Sequence, residues 1–130
     1  MDQTLVIAND ADVVRVRQAV RDLAVQAKLS LVDQTKLVTA TSELARNTLV
    51  YGGGGEVVIS RTEGPRVGIQ VILTDRGPGI PNVDLALTDG WTSGTGMGLG
   101  LSGARRLMDE FDLVTEPGEG TTVRVVKWKR

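Results

Sequence analysis

Apolar residues recur along this chain with two periods, and the changes of period divide it into eight elements. Thr4 to Ala8, a short run dominated by apolar residues, reads as a first strand. Asn9 and Asp10 then offer caps for a helix running to about Lys28, with Val13, Val16, Val20, Leu23, Ala24 and Ala27 on one face. Ser30 is placed to cap a second helix ending near Val50, whose inward stripe is Leu37, Thr41, Leu44 and Thr48. Four consecutive glycines, Gly52 to Gly55, must stop it. Glu56 to Thr62 and Arg66 to Thr74 form a predicted hairpin around Glu63-Gly64-Pro65, with Val67, Ile69, Val71 and Leu73 alternating toward one side. Residues 75–97 have little periodicity beyond a possible helical turn at Val83 to Leu87. A third helix is expected from about Gly98 to Glu110, then strands Phe111 to Thr115 and Thr121 to Trp128. The order β-α-α-β-β-α-β-β predicts an α/β two-layer sandwich, a mixed but mostly antiparallel sheet covered on one face by about three helices.

Composition narrows the chemistry. At 130 residues a single domain spanning 1–130 is expected, and with 3% aromatics its core must be aliphatic. A net charge of −1 gives no broad attraction to nucleic acid or anionic membrane. The chain has neither histidine nor cysteine, which removes disulfides, Cys/His zinc sites, thiol catalysis, a Ser-His-Asp triad and histidine autophosphorylation. Any metal should be a hard cation held by oxygens, with Mg²⁺ bridging phosphates the natural candidate. Neither a basic-then-apolar leader nor a membrane-length segment is apparent, so a soluble, cytoplasmic protein is expected.

Four stretches carry candidate chemistry. Glu43 and Asn47 lie one helical turn apart at the edge of the second helix's inward stripe. Asn47 can offer an amide oxygen to a metal and Glu43 can polarise a hydroxyl; a solvated helix edge fits the same pair. Asp75 ends an apolar strand ahead of Gly77 and Gly79, where a carboxylate can accept from an exocyclic amine and glycines let a planar ring approach; Asp-x-Gly-Pro-Gly is also ordinary turn chemistry. From Gly94 through Thr95, Gly96, Met97, Gly98, Leu99 and Gly100, glycine takes alternate positions before a helix, which suits a backbone phosphate cradle or a merely mobile loop. Gly120-Thr121-Thr122 opens the last strand with hydroxyls that could reach a nucleotide. Gly98 to Gly103 also satisfies G-x-G-x-x-G, but no strand precedes it and the second strand with its acid is missing, so a dinucleotide-binding enzyme fails on context. The Walker lysine and the protein-kinase HRD and DFG signatures are absent.

Together these stretches resemble the GHKL (Bergerat-fold) ATPases, and among them the anti-sigma-type serine/threonine kinases, closest to the RsbT-like switch kinases of stressosome pathways. Ser42 to Asn47 is similar to the family's N box, Asp75 to Ile80 to its first glycine box, Gly94 to Leu101 to the lid and second glycine box, and Gly103 to Phe111 to the RsbT branch. The resemblance implies ATP and Mg²⁺, with Asn47 on the metal, Asp75 reading adenine, Gly77 and Gly79 shaping the base pocket and Thr122 supporting it. It implies Gly96, Gly98 and Gly100 on the phosphates beneath a lid of residues 82–97, Arg46 near the γ-phosphate or a partner, and Glu43 as the base acting on an incoming serine. The implied partners are a STAS-domain protein as phosphorylation substrate and a metal-dependent serine phosphatase activated on release. A binding switch that sequesters a partner without essential phosphotransfer is the alternative. The chain departs from the pattern at Ala27-Lys28-Leu29-Ser30, where such kinases often have a glycine-aromatic pair, and at Trp91, where tyrosine is expected.

Overall fold

The computed structural model describes residues 2–62, 64–79 and 100–130. The elements are β1 (Gln3–Ile7), α1 (Asp10–Gln26), α2 (Leu31–Val50), β2 (Gly55–Arg61), β3 (Gly68–Asp75), α3 (Gly100–Leu107), β4 (Glu110–Glu116) and β5 (Gly120–Trp128). They follow the predicted order. The five strands form one sheet in the order β1-β2-β3-β5-β4, and every pairing among them is antiparallel.

Both predicted caps close their helices. Asn9 Oδ1 accepts the Asp12 N–H at 3.0 Å, and Ser30 Oγ accepts that of Asp33 at 3.1 Å. Helix α1 ends in a Schellman turn: Leu29 N–H donates to Ala24 O and Lys28 N–H to Val25 O, which puts Lys28 at φ 63. That is the segment where a glycine-aromatic pair was expected, and it is a position at which glycine would be unstrained. Val13, Val16, Val20 and Ala24 of α1 and Leu37, Thr41, Leu44 and Thr48 of α2 are buried as their spacing requires.

These stripes cover one face of the sheet, formed by Ile7, Val57, Ile59, Ile69, Val71, Leu73, Val123 and Val125. Helix α3 packs on α2 and adds Leu101 and Ala104 to the same core. The third helix is shorter than its pattern suggests. Asp109 leaves the helical path to donate its N–H to Val126 O and accept the Trp128 N–H on its carboxylate, so Glu110 already belongs to β4. The expected turn at Val83 to Leu87, the lid at 82–97 and Trp91 lie outside the described residues.

Candidate functional site

Three chain segments meet at the C-terminal end of β3. Asp75 is the last residue of that strand, on its helix-covered face, with Gly55 of β2 on one side and Thr121 of β5 on the other. Above it ends α2. Tyr51 N–H and Gly52 N–H both turn back to the Asn47 carbonyl, at 2.9 and 3.4 Å, and the glycine run then leaves through Gly53 at φ 72. A Cβ on Gly52 would lie 2.4 Å from Asp75 Cβ, so the end of α2 rests directly on the aspartate. The helix that carries Glu43 and Asn47 is thereby held against the strand that carries Asp75.

The turn after Asp75 is closed by the aspartate itself, whose Oδ1 accepts the Gly77 N–H at 2.9 Å. Both turn glycines face protein backbone. A Cβ on Gly77 would meet Gly52 Cα at 2.7 Å and Tyr51 O at 2.9 Å; one on Gly79 would meet Glu116 O at 2.5 Å. Pro78 O accepts the Gly118 N–H at 2.9 Å, which ties the turn to the β4–β5 hairpin. Sequence reasoning assigned these glycines to the approach of a planar ring; close packing of backbone on both flanks of the turn already requires them.

Glu43, Arg46 and Asn47 are all half-buried on α2, at the margin between its buried stripe and solvent. Gly100 is the first described residue of α3, while Gly94, Thr95, Gly96, Met97, Gly98 and Leu99, and with them the expected helix start at about Gly98, lie outside the described residues. Thr122 falls elsewhere than expected. It pairs with Thr74 and Val114, residues of the sheet face opposite the helices. Thr121 is the hydroxyl on Asp75's face, half-buried and 2.9 Å from Thr115 Oγ1. Of the two threonines in that motif the resemblance assigned Thr122, whereas alternation puts Thr121 with Val123 and Val125 on the Asp75 side of β5. Gly52 was missed for a different reason, because a run of four glycines reads only as a helix stop.

The arrangement offers a carboxylate and a hydroxyl at a sheet end, a carboxylate and an amide on the adjoining helix edge, and a helix N-terminus on the element packed against that helix. Such a set can hold a base at one end and an anion at the other. Among the described residues, no group of three or more acidic side chains could by itself hold a metal ion. A hard cation here would take most of its ligands from phosphate and water, which suits Mg²⁺ and an Asn47 oxygen.

Comparison with known proteins agrees with this geometry. Residues 32–130 match the family described as histidine kinase-, DNA gyrase B-, and HSP90-like ATPase. The chain is 41% identical to the serine/threonine-protein kinase RsbT of Bacillus subtilis, over 99% of this chain and 98% of that protein. It is 28% identical to an anti-sigma F factor of Thermoanaerobacter, covering 86% of this chain and 82% of that one. In fold it is similar to a crystal structure of RsbU and RsbW domains from Mycobacterium tuberculosis, with a TM-score of 0.67 and 21% identity over 100% of this chain and 33% of the other. The chain belongs to this GHKL ATPase family, among its RsbT-like serine/threonine kinases, and nucleotide binding follows from that membership.

Proposed function

We propose that this GHKL kinase transfers the γ-phosphoryl group of Mg·ATP to a serine or threonine of a STAS-domain partner in a partner-switching pathway, and that on release it activates a metal-dependent serine phosphatase. The observation that carries the reading is the seating of α2 on Asp75 through Gly52, because it joins the helix edge bearing Glu43 and Asn47 to a base-reading carboxylate. Asp75 keeps Oδ1 on the Gly77 amide and presents Oδ2 to the adenine amine, with the Thr121 hydroxyl beside it. Asn47 gives its side-chain oxygen to Mg²⁺, whose charge offsets that of the phosphates. The phosphates are assigned to Gly100 at the start of α3 and, by the resemblance, to Gly96 and Gly98, with Arg46 near the γ end. Glu43 accepts the proton of the attacking hydroxyl as its oxygen bonds to the γ-phosphorus and the bond from that phosphorus to the leaving ADP breaks. Phosphoryl transfer rests mainly on positioning and charge neutralisation, which so small a site can supply.

No described helix is long and apolar enough to cross a membrane, and a cytoplasmic location is part of the same proposal. The reading is tested with Glu43→Gln, which keeps the shape of the side chain and removes the base. ATP affinity should stay within about twofold while transfer of labelled phosphate to a STAS-domain protein falls by about 10²-fold or more. Transfer at the wild-type rate would remove Glu43 from the chemistry. The 28% identity to an anti-sigma F factor supports one other reading, sequestration of a partner under nucleotide control; nucleotide-dependent capture of a partner by Glu43→Gln, with no phosphate transfer by the wild type, would favour it.

A further inference from the structure

A buried cation lies at the other end of the sheet from Asp75. Lys127 is 3% exposed near the end of β5, six residues along that strand from Thr121 and so about 20 Å from the base-reading end. Its Nζ donates to Leu107 O at 3.0 Å and stands 3.6 Å from Asp109 Oδ1 and 3.7 Å from Asp33 Oδ1. Leu107 is the last residue of α3, and Asp33, itself 6% exposed, lies in the first turn of α2. One ammonium therefore joins the C-terminus of α3, the N-terminus of α2 and the C-terminal end of β5. A buried ion pair of this kind is poorly explained by stability, because well-packed apolar residues commonly serve as well; what it supplies is a fixed arrangement of the elements it joins.

The anchor has a consequence eight residues away. With the end of α3 held beside the start of α2, the two packed helices run in opposite directions. Eight residues of α3 span about 12 Å, the rise of eight residues of α2 counted from Asp33. That brings Gly100 level with Ala40, within a helical turn of Glu43. We propose that Lys127 is a positioning residue: it fixes the register of α3 on α2 and so holds the phosphate-facing start of α3 opposite Glu43. The inference rests on the ATP-kinase reading of the site and adds a residue far outside the nucleotide's reach.

The test is Lys127→Met, with titration of adenosine and of Mg·ATP and with hydrogen exchange on the nucleotide-free protein. A misplaced α3 harms phosphate contacts and spares base contacts, so ATP affinity should fall about tenfold while adenosine affinity stays within about twofold. Amides of α3 should exchange faster than in the wild type. A purely structural role would weaken both ligands in step, and that result, or an unchanged ATP-to-adenosine ratio, overturns the proposal. If Lys127→Met does not fold, the double variant Lys127→Met/Asp33→Leu removes the anchor without leaving Asp33 buried and unpaired, and is judged by the same ratio. Failure of the nucleotide reading shows separately, as a wild type that binds neither ligand; exchange at α3 then decides the anchor, and unchanged exchange overturns it.

Discussion

Gly77→Ala isolates the contact that seats α2 on the Asp75 turn. Gly77 does not lie in the left-handed region, so alanine can adopt its backbone conformation and the effect is one of space alone. The added Cβ would lie 2.7 Å from Gly52 Cα and 2.9 Å from Tyr51 O, whereas ordinary contact begins at 3.4 Å. Backbone must therefore part from backbone by about 0.7 Å, and neither side yields easily. The helix end is held through Asn47 O, and the turn is held through Asp75 Oδ1 and through Pro78 O on Gly118. Overpacking of this size costs about 1–3 kcal/mol, which for a chain of this length lowers the melting temperature by roughly 3–12 °C. The shift acts on the Asp75 carboxylate itself, so ATP affinity should fall about 10- to 100-fold in a calorimetric titration. Gly118→Ala is the control: its Cβ meets nothing within 4 Å, though at φ 78 it carries conformational strain, so it should lose stability without losing nucleotide. Gly77→Ala with wild-type melting and wild-type ATP affinity would refute the seating of α2 on the turn.

Two further substitutions test the frame around the site. Lys28→Gly relieves the left-handed residue that ends α1 and should raise stability by about 0.5–1 kcal/mol, read as a higher urea midpoint at unchanged slope. For Asp109, burial pushes the carboxyl up, but the Trp128 N–H, the Arg130 hydrogen bond and the charges of Lys127 and Arg130 outweigh it and hold its pKa below the usual range. A depressed folded pKa means stability that is present above the unfolded value near 3.9 and lost as pH falls through the lower folded value. Asp109→Asn should thus be less stable than wild type at neutral pH, with the difference closing below about pH 4 in urea unfolding curves; a gap unchanged with pH would contradict the assignment.

Most of the frame was legible because it is local. Asn9 and Ser30 cap where their side chains can reach the next turn, and the stripes of α1 and α2 follow from helical period alone. What escaped the sequence depends on partners far along the chain. Met108-Asp109-Glu110 continues a helical pattern, and only the pull of Val126 and Trp128 on Asp109 ends α3 at Leu107. Which threonine of β5 stands beside Asp75 is set by register with β3, so a choice one residue out moved the side chain to the opposite face. Lys127 reads as a lysine at a strand end in a basic tail, and nothing within that tail shows that Asp33, ninety-four positions earlier, lies 3.7 Å from it.

Helix α2 gives these separate observations one physical sense. Its C-terminal end is fixed by Gly52 on Asp75, and its N-terminal end is fixed by Asp33 near Lys127. Between them twenty helical residues span about 30 Å, a length that hydrogen-bonded helix does not readily change. Glu43 and Asn47 are thus set at defined distances from both anchors: Asn47 four residues from Tyr51, and Glu43 ten from Asp33. Neither residue needs a binding loop of its own to be placed, because each inherits its position from a rigid element pinned at both ends. That explains how a site whose glycine-rich half lies outside the described residues is still defined on its other side. In the proposed kinase site the base end is built by backbone packed on backbone around Asp75, and the reacting end would be set by where a doubly anchored helix puts a carboxylate and an amide.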